Sequence, residues 1–180
     1  MSERVTTKEQ FFKLLLAAFP AQPEPARFFW REDRHDDDYE FRQDLLRLAG
    51  RQWTEIKIGD WTMVGRIGHT RELLEPATFL YYLPLLMLGA IDDPGYLDWA
   101  LEAIVPLGRD RQPKSKWWME LLETISPDQI GILHDFLAFV RKNLLPVQET
   151  FVVTQEEVLT SEAEAFWDKL RASTTARTKR

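Results

Sequence analysis

The chain reads as a mainly α-helical single domain, a bundle of about six or seven helices, on three observations. Helix-start signals of the capping-box type recur at Thr7 with Gln10, Ser126-Pro127 with Gln129, and Thr154 with Glu157, each followed by apolar residues at helical spacing. From Ala77 to Met87 an uncharged aromatic and aliphatic run, with Pro84 set inside it, marks the centre of a folded core. With 180 residues and 44% hydrophobic content, one substantial core forms without help from metal or disulfide.

The first helix follows Thr7 and carries Phe11, Phe12, Leu14, Leu15, Leu16, Ala18 and Phe19 on a wide apolar face, ending at Pro20. Pro20, Pro23 and Pro25 impose an extended passage, because each fixes φ and disfavours helix at the residue before it. Asp36, Asp37 and Asp38 suit the positive end of a second helix, which Phe41, Leu45 and Leu48 continue to a stop at Gly50. Between Trp53 and His69 the pattern loosens around Gly59, Gly65 and Gly68, and a short hairpin or an irregular loop is expected.

Pro76 opens a helix to about Ile91, with a kink expected at Pro84, where the carbonyl of Leu80 loses its usual donor. Pro94 opens another helix, through Tyr96, Trp99 and Ile104 to Pro106. A basic loop from Arg109 to Lys116 leads to Trp117-Trp118-Met119. The helix after Ser126 is apolar nearly all round: Asp128, Asp135 and Lys142 recur every seven residues, so one narrow stripe faces water. The last helix buries Val158, Leu159, Ala163, Phe166, Trp167 and Leu170. The domain is expected to span residues 1–171, with 172–180 a disordered basic tail that lacks large apolar residues.

Composition narrows the chemistry. There are 29 acidic and 23 basic residues, and four of the basic ones fall in the last ten, so the body opposes 29 acids with 19 bases. Such a body repels nucleic acid and favours a basic protein partner. No cysteine is present, which excludes disulfides, thiol nucleophiles and thiolate metal sites. The first residues lack the pattern of a secretory signal, and the longest uncharged run, Pro76 to Ile91, falls short of the roughly 20 residues that cross a bilayer. A cytoplasmic protein with no membrane span is expected. No phosphate-binding glycine loop, helical zinc motif or serine nucleophile motif appears, and no cofactor is implied.

Two features point to binding. Residues 32–44 hold seven acids and two arginines, the densest charge asymmetry in the chain. Trp30, Glu32, Asp33, Asp36, Asp37, Asp38, Tyr39 and Glu40 would combine aromatic area with steering carboxylates, as a surface that captures a basic protein requires. Trp61, Trp117 and Trp118 fall in poorly patterned segments and are either core residues or further partner contacts. His35 with Asp36, Asp37 and Asp38 offers nitrogen and oxygen ligands to a divalent metal, although a solvated helix start explains the same run. His134 and Asp135 are neighbours on a helix and point about 100 degrees apart, so a buried, hydrogen-bonded histidine is expected instead of an acid–base pair.

Phe19-Pro20, Gly50-Arg51-Gln52-Trp53, the Pro76 helix with Phe79-Leu80-Tyr81-Tyr82-Leu83-Pro84, Ser126-Pro127 and Ala165-Phe166-Trp167 resemble a family of small uncharacterised bacterial cytosolic proteins with a "YYLP" core motif. The resemblance covers about Phe11 to Trp167, rests on packing motifs and implies no catalytic residues. The chain also resembles immunity proteins of bacterial polymorphic toxins, which are small, acidic and cysteine-poor; its basic tail departs from that type. The resemblance implies a cytosolic protein that neutralises a cognate toxin by occluding its active site. Two other readings are a metal-dependent hydrolase using His35 and Asp36 to Asp38, and a non-catalytic adaptor docking through Trp117-Trp118.

Overall fold

The computed structural model describes residues 7–30, 39–62, 65, 67–106, 112–145 and 153–178; for Thr62, His69 and residues 172–178 only the backbone is described. All the regular elements of these residues are helical. The α-helices are α1 (Lys8–Ala18), α2 (Tyr39–Leu45), α3 (Ile58–Thr62), α4 (Ile67–Thr70), α5 (Pro76–Asp92), α6 (Leu97–Ala103), α7 (Lys116–Thr124), α8 (Pro127–Asn143) and α9 (Gln155–Thr178).

The capping signals do what their side chains allow. Thr7 with Gln10 and Ser126 with Gln129 form reciprocal boxes, and Thr154 and Glu157 exchange the same pair of bonds at 2.9 and 3.3 Å. Ser115 caps α7 by accepting from the amide of Trp118. Each box satisfies amide donors that the first turn of a helix leaves without partners.

α5 is the axis of the domain. It is buried on nearly every side and packs against α1, α3, α6 and α7. The helix continues through Pro84 to Asp92. Its two tyrosines tie irregular chain to the core: Tyr81 donates to the carbonyl of Ala21 at 2.9 Å, and Tyr82 to those of Leu48 at 2.7 Å and Arg51 at 3.2 Å. Burial pushes both phenols above their ordinary range. The "YYLP" run is thus a core motif whose polar tips fasten the proline-rich passage and the turn after α2. Within that passage the Gln22–Pro23 bond is cis.

The expected hairpin or loop after Trp53 is instead a series of short helical turns: a 3-10 turn at Trp53–Glu55, then α3, α4 and a second 3-10 turn at Arg71–Leu73. Gly65 breaks the series with a φ of +112°, and Gly50, the expected stop after α2, has a φ of +72°. Gly89 has a different reason: a Cβ there would lie 2.4 Å from the Cβ of Ile58, so α3 seats directly on the backbone of α5. The only β-type pairing among the described residues is an isolated bridge between Phe29 and Leu74.

α1 and α8 run antiparallel. The Phe11 ring stacks on Phe136 and Phe139 at 6.0 and 6.4 Å, while at the other end Gln129 donates to the carbonyl of Ala18 at 3.2 Å. α9 closes the domain across α6 and α8, with Trp167 donating to the Ile104 carbonyl at 2.9 Å and Arg141 gripping the Glu164 carboxylate. Its backbone is helical to Thr178, past the frayed end expected from Ala172. Val158, expected on its buried side, is exposed.

Arg71 is the one fully buried charged side chain among the described residues. Its Nη1 reaches the carbonyls of Glu102, Ala103 and Val105, where α6 ends, and its guanidinium lies 4.8 Å from the Trp118 ring centroid. A cation at a helix C-terminus meets the negative end of the dipole and satisfies carbonyls that the helix leaves open.

Candidate functional site

Four tryptophans considered as partner contacts turn inward. Trp61 and Trp117 are fully buried, Trp118 is 2% exposed and Trp30 is 8% exposed. Trp30 donates its indole N–H to Glu120, and Trp117 donates to the Leu74 carbonyl at 2.7 Å. Trp61 packs edge-on against Tyr82, and Trp118 against Trp117 and Phe166. Neither ring at Trp117-Trp118 offers exposed aromatic area for an adaptor surface. A poorly patterned sequence around a tryptophan reflects short helices and capping contacts here, not exposure.

The acidic run divides differently. Glu32, Asp33, His35, Asp36, Asp37 and Asp38 lie outside the described residues, and with them the possible metal cluster. Tyr39, Glu40 and Phe41 form the first turn of α2 and are exposed, Tyr39 at 61% and Phe41 at 40%. Of the three apolar residues that continue this helix in the sequence, Leu45 and Leu48 are buried and Phe41 is not. The result is an aromatic and acidic edge directly after three consecutive aspartates in the chain.

Other titratable groups are held by structural contacts. His134 Nδ1 lies 3.5 Å from Asp168 of α9, an ion pair only when the imidazole is protonated. Burial raises the Glu75 carboxyl, Arg27 at 3.9 Å opposes the shift, and Glu120 adds to it. Among the described residues no group of three or more His, Cys, Asp or Glu is placed to hold a metal ion.

Two clefts flank α1. One, of about 570 Å³, opens towards α3 and α5 and is lined by Phe12, Trp53, Ile58, Leu88, Lys57 and Asp93, among others. The other, of about 320 Å³, lies between α1 and α8, with Leu14, Ala17, Gly131 and Ile132 in its walls and Asp128 and Asp135 beside them. The wide apolar face read for α1 is in fact broader than its buried stripe of Phe11 and Leu15: Phe12, Leu14 and Leu16 stay more than a third exposed on its shoulders.

These packing features coincide with a family whose model matches residues 7–171, from the Thr7 cap to beyond the Trp167 contact. The chain belongs to the family of unknown function DUF6714. Comparison of this DUF6714 chain with curated proteins and with solved structures finds no match. The match covers α1 to α8 and α9 as far as residue 171, including the Tyr81-Tyr82 core motif, and brings no functional residue with it. No described helix of this DUF6714 chain is long and apolar enough to cross a membrane.

Proposed function

We propose that this protein is a non-catalytic binding protein of the bacterial cytoplasm, an immunity protein that neutralises a cognate basic toxin by occluding its active site. The observation that carries the reading is the exposed first turn of α2, where Tyr39, Glu40 and Phe41 follow Asp36, Asp37 and Asp38 in the chain. Exposed aromatic side chains supply rigid contact area at low entropic cost, and clustered carboxylates accelerate encounter with a basic surface. An overall charge of −6 acts in the same sense at longer range. Burial of the tryptophans narrows the contact set to this edge and to the acids that precede it.

Such an inhibitor needs no chemistry of its own, only an interface of standard size or larger. Exchanging Asp36, Asp37 and Asp38 together for asparagine should lower the association rate with the toxin about tenfold at low salt, with little change in dissociation. Stopped-flow association across a salt series measures it. An unchanged rate at low salt would remove the steering role and with it the proposed face.

A further inference from the structure

We propose that the groove between α1 and α8 is a second binding surface, one that seats a basic amphipathic helix from a protein partner. The α2 edge contributes nothing to this groove, so the inference stands independently of the toxin-inhibitor reading. Its walls come from Leu14, Ala17 and Ala18 of α1 and from Gly131 and Ile132 of α8. Small side chains let a helix approach closely, and Leu14, 38% exposed, supplies the apolar contact.

Gly131 is the informative residue. Glycine inside a helix is disfavoured relative to alanine, and a close approach within the molecule usually explains it. Gly89 has such a reason in Ile58, but a Cβ on Gly131 would meet nothing within 4 Å. The space above its backbone is left open towards solvent, within the groove.

Charge selects the occupant. Asp128 and Asp135 line the groove seven residues apart on α8, about 10.5 Å along the helix axis. No lysine or arginine lines it. Asp135 is partly desolvated, and His134 and Arg171 offset that burial only in part, so its carboxyl sits above the usual range. A helix presenting two cations two turns apart, with leucine or alanine between them, matches both carboxylates and the floor.

The probe is a fluorescein-labelled, alanine-based helical peptide with two arginines two turns apart and leucines between them, titrated into the full chain by fluorescence anisotropy. A second peptide carries glutamates in place of the arginines. The expected result is saturable binding of the arginine peptide alone, weakened about tenfold or more both by Gly131→Leu and by the double exchange Asp128→Asn, Asp135→Asn. Circular dichroism verifies that each variant is folded, and the double exchange serves if Gly131→Leu does not fold. Gly131→Ala should meanwhile raise the thermal midpoint of the free protein by about 2–4 °C, since no internal contact needs the glycine. Absence of saturable binding, equal binding of the glutamate peptide, or binding indifferent to the substitutions would overturn the proposal. Concentration-dependent dimerisation abolished by Gly131→Leu would overturn it too, by giving the groove to a second copy of the chain.

Discussion

Asp135 shows how a single side chain records a conflict between packing and charge. Burial raises its carboxyl, while His134 and Arg171 pull it down by less. A carboxyl whose folded pKa exceeds its unfolded value costs stability when ionised, and the cost fades as pH falls through the folded pKa. Asp135→Asn should therefore raise the thermal midpoint at pH 7, with the gain shrinking as pH approaches 4. Thermal melts of both proteins across that range measure it; a gain that grows on acidification would contradict the assignment. Neither this shift nor the role of Arg71 was legible in the sequence, because both depend on residues distant in the chain. The capping pairs at Thr7, Ser126 and Thr154 were legible, since each is made within four residues. Tryptophan exposure was not: Trp117 and Trp61 lie in segments whose local pattern says nothing of the α5 surface that covers them.

At the scale of elements, the long helices follow from their own sequences and the short ones from their neighbours. α1, α5 and α8 each combine a start signal with a sustained apolar pattern, and each was readable. α3 and α4 have five and four residues, too few for periodicity to show, and isolated helices of that length do not form in water. They persist because α5 and α6 supply the packing, as Gly89 against Ile58 illustrates. Arg71 fastens this region to the end of α6 through three carbonyls. Arg71→Ala should cost about 3 kcal/mol, by leaving buried carbonyls unsatisfied. Arg71→Lys should recover less than half of that, because an ammonium cannot reproduce the planar stacking on Trp118. Urea denaturation of the three proteins tests both statements; a lysine variant as stable as wild type would reduce Arg71 to a simple point charge.

For the whole molecule, a sizeable core and an acidic exterior serve different ends. The aromatic content that suggests a binding surface is spent mostly on the interior, where Trp53, Trp117 and Trp167 donate to the carbonyls of Phe19, Leu74 and Ile104. Among the described residues, the α2 edge that follows the aspartate run and the clefts beside α1 present surface that could meet a partner. Neither contains a described group of residues that would hold a metal ion. We propose that the chain acts by stoichiometric capture of a basic protein. The most direct test is affinity capture of the tagged chain from its native cell at moderate salt, alongside a Tyr39→Ala, Phe41→Ala variant, with mass spectrometry of what is retained. The expected result is one basic protein in equal amount with the wild type, greatly reduced with the variant, whose toxic activity the chain abolishes; recovery of the wild-type chain alone would contradict stoichiometric capture.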